Sequence, residues 1–277
     1  ADAVARSPER EMAASPEQGS VAARVLLDVW NGKPAVVVAS PPGAGKTHLI
    51  VSVASSLNYH AGLRIGVACS TVAQAVGVAN RLATSSPGIN VVIIDSSSGS
   101  IPEGQLHGTV TMSKSMTDFS EGPAVFVATT AKWATVSPGA AVVGGQRNVD
   151  VMFVDEAWQQ TWARFLSLQA LASQFVLVGD PGQIPPIVRT DVERWANWKA
   201  NPALPAPESL MRHRPGHVLS MNFDSSRRLG RRTCEMLQPM YRFPFGSSRR
   251  PTVTVDASGA VLPEIEREER DDLALEA

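Results

Sequence analysis

The chain has 277 residues, is 44% hydrophobic and carries a formal net charge of −1. That suffices for one large domain, leaves no apolar run of membrane-spanning length, and argues against affinity of the whole molecule for polyanions. Cys69 and Cys234 stand far apart without ligand-like spacing, which points away from a zinc site or a disulfide framework and fits a reducing cytoplasm.

Residues 1–14 are polar, lack an apolar signal core and read as a disordered segment. Ser15-Pro16-Glu17-Gln18 is a helix start: serine caps, proline suits the first helical position and Glu17 favours the dipole. The helix continues through Val21, Val25, Leu26 and Trp30 until Asn31-Gly32 stops it. A glutamine placed like Gln18, upstream of a nucleotide loop, can read an adenine edge; in a first helical turn it can equally be a solvated side chain.

Ala35 to Ala39 is a run of small and β-branched residues, which predicts a strand buried on both faces. Ser40-Pro41-Pro42-Gly43-Ala44-Gly45-Lys46-Thr47 follows, and then a helix through Leu57. Strand, loop and helix in that order are the context of a phosphate-binding loop. Gly43 and Gly45 let the backbone curl its N–H groups toward phosphate oxygens, and the helix start adds more. Pro42, Gly43, Ala44, Gly45, Lys46, Thr47 and His48 are the expected nucleotide cradle. In it Lys46 reaches the β- and γ-phosphates of ATP and Thr47 holds Mg²⁺. Ser40 stands where the usual pattern opens with glycine.

Residues 64–69 predict a second strand, Ser70-Thr71 cap a helix through Leu82, and 90–95 predict a third strand. A serine-rich loop (96–100) and an irregular insertion (101–122) precede strands at 124–129, 149–154 and 174–178. Strands alternating with helices predict an α/β fold, a mostly parallel sheet with helices on both faces. The carboxyl ends of its strands share one edge, where ligands bind.

Two of those ends carry carboxylates. After Val154 comes Asp155-Glu156-Ala157: the aspartate suits Mg²⁺, and the glutamate suits a general base on an attacking water. Asp155 could instead cap a helix over 158–168. After Val178 comes Gly179-Asp180-Pro181-Gly182-Gln183. A Pro-Gly turn accounts for the middle pair but not for Asp180 and Gln183 together, and Gln183 can sense a γ-phosphate.

These three motifs, in this order, resemble those of superfamily 1 helicases on the branch of the RNA-surveillance and RecD-like enzymes. Pro41 to Thr47 is similar to motif I, Asp155 to Ala157 to motif II, and Gly179 to Pro186 to motif III with Ile184 for leucine. PhoH-like ATPases are similar in the first two motifs, but Pro185-Pro186 fits the helicases better. The resemblance implies a P-loop NTPase with a RecA-like ATPase domain over 15–250, ATP and Mg²⁺ as ligands, and single-stranded DNA or RNA as partner. It gives catalytic roles to Lys46, Glu156 and Gln183 and metal roles to Thr47 and Asp155. By position it implies strand contacts from Ser70, Thr71, Gln74, Thr129 and Thr130, which helix capping would equally explain. Ser226-Arg227-Arg228 looks similar to the family's arginine triplet, so Arg228 is the expected γ-phosphate arginine; the alternative is a surface arginine on a helix over 226–238.

The arginine-rich stretch from Arg212 to Arg250 also carries Phe223, Tyr241, Phe243 and Phe245. It suits a nucleic-acid backbone, or equally a solvated face or domain interface. Trp158, Trp162, Trp195 and Trp198 fall at helical spacings and are expected to pack. Residues 251–277 read as a linker or acidic helix. The resemblance further implies a second RecA-like domain, in cis beyond Ala277 or from a partner subunit. A competing reading is a nucleotide-gated interaction module, in which ATP switches a partner complex and no strand moves.

Overall fold

The computed structural model describes residues 16–95, 101–102, 104–114, 122–136, 142–143, 146–147, 149–188, 192–198 and 200–249. The expectations for 1–14, 96–100 and 251–277 lie outside these, as does the side chain of Gln18. The chain begins with α1 (Pro16–Trp30), β1 (Ala35–Ala39), α2 (Lys46–Ala61), β2 (Ile65–Cys69), α3 (Val72–Ser85) and β3 (Val91–Ile94). Then come β4 (Val110–Ser113), β5 (Val125–Thr129), α4 (Thr130–Trp133), a short hairpin of β6 (Val142–Val143) and β7 (Gln146–Arg147), and β8 (Val149–Val154). The rest is α5 (Trp162–Leu166), β9 (Ala172–Gly179), α6 (Ala206–His213), β10 (Val218–Asn222), β11 (Ser225–Ser226), α7 (Arg231–Leu237) and β12 (Gly246–Ser247).

Eight strands form one sheet in the order β10-β1-β9-β8-β2-β5-β3-β4, and every neighbouring pair is parallel. The side-chain period of two explains why the central strands are apolar throughout. Val36 and Val38 of β1, Val176 and Val178 of β9, and Val151 and Phe153 of β8 face one core with α1, α2 and α3. Val37, Leu177, Met152 and Val154 face a second core with α4, α5 and α6. This is the helix-covered parallel sheet that the alternation of elements implies, and with the phosphate loop at the end of β1 it has the RecA-like P-loop architecture.

Four sequence expectations are corrected. The insertion at 101–122 is not wholly irregular, since β4 adds an edge strand beside β3. The helix expected over 158–168 is a single 3₁₀ turn at Ala157–Gln159 followed by α5, because the Thr161 hydroxyl accepts from the Arg164 N–H and starts a new helix there. The helix expected over 226–238 begins only at Arg231, so Arg228 lies in the bend before it. Trp158 and Trp162 are buried as expected, but Trp198 is 59% exposed. Trp195 is half-buried, with the Arg194 guanidinium 4.4 Å above its ring.

Candidate nucleotide site

Strand order decides what meets at the carboxyl edge. Reading along the sheet, the ends of β10, β1, β9, β8, β2 and β5 bring six turns side by side. These begin at Phe223, Ser40, Asp180, Asp155, Ser70 and Thr130 respectively. The turn after β9 therefore sits between the phosphate loop and the Asp155-Glu156 pair. Ser40 donates its N–H to the Gly179 carbonyl at 2.9 Å, and Asp155 donates its N–H to the Ala68 carbonyl at 2.9 Å, so the turns leave the sheet from adjoining positions.

The phosphate loop needs left-handed backbone at Gly43 (φ 71°) and Gly45 (φ 108°), which only glycine adopts without strain. Gly45 also precedes α2 with no side-chain cap, so the N–H groups at the start of this 16-residue helix are left for a ligand. Ser40, which replaces the usual first glycine, is fully buried and turns its hydroxyl back to the Pro41 carbonyl. Its side chain therefore does not intrude on the loop. Lys46 and Thr47 are half-buried and His48 is exposed.

Lys46 Nζ lies 3.9 Å from Glu156 Oε1, an ion pair too long for a hydrogen bond. The other carboxylate oxygen of Glu156 is buried with no hydrogen-bond partner among the described residues. Glu156 has φ 51°, the only positive φ outside glycine among those residues. Strained backbone at a buried carboxylate is a feature of working sites. Burial raises the Asp155 carboxyl above its ordinary range, against the Glu156 N–H bond and Lys46, which pull it down. Burial also raises Glu156; Lys46 opposes this, while Asp155 and Asp180 add to it. Asp155 and Glu156 thus share one lysine while Asp180 adds further negative charge beside Glu156, an imbalance that a cation would relieve.

These residues fit Mg²⁺ and a triphosphate. There is an uncapped helix start beside a glycine-curled loop, a lysine, and buried acidic oxygens without partners among the described residues. No cluster of three or more His, Cys, Asp or Glu side chains suited to a metal occurs among the described residues. An ion here would therefore rest on Asp155, the Thr47 hydroxyl, and ligands from nucleotide and water.

Gln183 joins this group through Gln159, whose Nε2 donates to Gln183 Oε1 at 2.6 Å. The Gln159 N–H in turn donates to the Glu156 carbonyl at 2.9 Å. On the other flank, β10 leads into a segment strapped to the phosphate loop. The Ser226 hydroxyl donates to the Pro42 carbonyl at 2.7 Å, and the Arg227 N–H donates to the Gly43 carbonyl at 3.2 Å. A Cβ added at Gly43 would come 2.7 Å from the Arg228 Cβ. Arg228 is thus rooted beside the loop with an exposed side chain.

The residues expected to hold nucleic acid have local partners. Thr71 and Gln74 form a complete capping box on α3, and Thr129 caps α4 through the Lys132 N–H. Thr130 is buried and donates to the Cys69 carbonyl. Ser70 accepts from Gln160 Nε2 at 3.0 Å. Of the aromatics in the arginine-rich stretch, Phe223, Tyr241 and Phe245 are buried, so they are packing groups and not stacking platforms. Sequence reasoning missed Gln159, Gln160 and Tyr241. The first two lie three and four residues after Glu156, and two consecutive amides so close to an Asp-Glu pair are a readable signal.

No protein-family model matches the chain, and no curated protein matches it. Similar folds occur among solved helicase structures. The PRRSV helicase is 16% identical, with a TM-score of 0.48, over 84% of this chain and 39% of that one. Arterivirus nonstructural protein 10, a helicase solved with DNA, is 15% identical with a TM-score of 0.47 over 82% of this chain and 45% of that one. The Hef helicase domain of Pyrococcus furiosus is 13% identical with a TM-score of 0.44 over 73% of this chain and 37% of that one. The chain spans less than half the length of each, and at this distance the likeness carries no functional argument. Among the described residues no helix is long and apolar enough to cross a membrane.

Proposed function

We propose that this chain binds Mg²⁺-ATP and hydrolyses it, as the motor domain of a superfamily 1-like helicase or translocase acting on single-stranded DNA or RNA. The observation that carries the reading is the meeting of Lys46 with Glu156 at one sheet edge, flanked by the Gln183 turn. Loop N–H groups and Lys46 hold the phosphates, and Gln183 contacts the γ-phosphate. Glu156, its basicity raised by burial, takes a proton from the attacking water. The water oxygen bonds to the γ-phosphorus as the bond to the bridging oxygen breaks, and ADP leaves. Thr47 and Asp155 would hold Mg²⁺, which would supply neutralisation of phosphate charge. Arg228 adds a guanidinium toward the same oxygens. Work on a strand requires a second RecA-like domain, in cis or from a partner.

The test is steady-state ATP turnover with and without single-stranded DNA and RNA. Stimulation of about tenfold or more by either strand supports a motor, on the scale of effect that completing a site brings. ATP turnover indifferent to both strands supports a nucleotide switch. Absence of any turnover or nucleotide binding refutes the reading.

A further inference from the structure

The hydroxyl of Tyr241 donates to Asp180 Oδ1 at 2.8 Å, and the Gly182 N–H donates to the same oxygen at 2.9 Å. Asp180 is 1% exposed, and its other oxygen has no partner among the described residues. A Cβ added at Gly182 would lie 2.5 Å from the Tyr241 ring, so the turn and the ring are built around each other. The ring is held from behind by edge-on contacts with Phe243 and Phe245, part of a small separate core with Cys234. Burial and the Asp180 bond both push the Tyr241 phenol up, which keeps it a donor. The same segment is strapped to the phosphate loop through Ser226 and Arg227.

We propose that Tyr241 is a positioning residue: it ties the segment that carries Arg228 to the turn that carries Gln183. The inference rests on the proposed ATPase reading. From the phenol the path runs through Asp180 to the Gly182 N–H, on to Gln183, and through Gln159 to the Glu156 carbonyl. Asp180 without its tyrosine is a buried carboxylate with fewer donors, beside two others, and it will seek a new arrangement. Gln183 then loses its aim, while the phosphate loop, held by separate bonds, keeps its shape. The role is therefore in turnover and not in nucleotide affinity.

The experiment compares wild type, Tyr241→Phe and Gly182→Ala in the full chain, reading kcat, KM for ATP and Tm, with Lys46→Ala as the inactive reference. Tyr241→Phe removes the donor alone; Gly182→Ala keeps the hydroxyl on the side chain but drives the ring, and the hydroxyl with it, off the turn. Both are expected to lower kcat about tenfold, with KM within about twofold, as for misplaced groups near a reaction. Tm of Tyr241→Phe should fall by only a few degrees, on the scale of about 2–4 °C per kcal/mol for one donor lost to a buried carboxylate. An unchanged kcat in Tyr241→Phe overturns the inference and leaves the ATPase reading standing. A larger loss of Tm together with a rise in KM also overturns it, since the two mark a merely structural contact. Wild-type turnover no higher than that of Lys46→Ala overturns the ATPase reading, and the inference falls with it.

Discussion

The two edges of the sheet are made by the same strands and are built oppositely. At the carboxyl edge, Asp155, Asp180 and Gln160 are buried polar side chains, Glu156 holds a left-handed backbone, and several polar oxygens lack partners among the described residues. At the amino edge, a cavity of about 370 Å³ opens by the starts of β1, β9 and β10, walled by Phe165, Phe175, Leu210 and Pro34. Its polar residues, Gln169, Ser173, Arg214 and His217, are all exposed. Good concavity therefore lies at the edge without buried charge, and strain lies at the other. The contrast marks the carboxyl edge as the costly part of the fold, the pattern expected of the proposed site.

That contrast can be broken by substitutions on either edge. The largest effect is expected from Lys46→Ala. It should lower kcat/KM for ATP at least about a thousandfold, on the scale of a lost phosphate clamp. Turnover that survives would erase the distinction between the edges. At the amino edge, Leu210→Ala should cost about 2 kcal/mol in denaturant unfolding, at the low end for buried leucines because its side chain already borders an open cavity and has fewer packing contacts to lose. Activity per folded molecule should not change.

Smaller effects sharpen the same contrast. Both motif II carboxyls are raised in the folded chain. A raised pKa gives stability that is present below the unfolded value and is lost as pH rises through the folded one, so at neutral pH these groups destabilise. Asp155→Asn should accordingly raise Tm at pH 7 by a few degrees, on a scale of about 2–4 °C per kcal/mol, while abolishing turnover. The gap should close as pH falls toward the acidic range. A Tm below wild type at pH 7 would mean that Asp155 is held by favourable contacts. The smallest effect is in the pH profile of kcat/KM: its acidic limb should lie above the ordinary glutamate range because Glu156 must be ionised to accept a proton.

How much of this was readable from sequence follows from burial. Strands β1, β2, β3, β5, β8 and β9 are covered on both faces, and each is a nearly unbroken apolar run. The outer strands β4 and β10 bury little of themselves. Val-Thr-Met-Ser and Val-Leu-Ser-Met-Asn therefore show neither a run nor a clean alternation, and neither pattern predicts a strand. In the site, Lys46, Asp155 and Gln183 announce themselves by short local patterns. Tyr241 does not, since its partner Asp180 is 61 residues away, and Ser226 is 184 residues from Pro42. Those pairings depend on β10 lying beside β1, a strand order that no local pattern encodes.

The most direct test of the central claim is single-turnover hydrolysis by Glu156→Gln, followed beside a measurement of nucleotide retained. The proposed convergence of Lys46 and Glu156 on one triphosphate predicts that the variant holds ATP as well as wild type but cleaves it about a hundred- to ten-thousandfold more slowly, the range for a lost general base. Cleavage at the wild-type rate would contradict it.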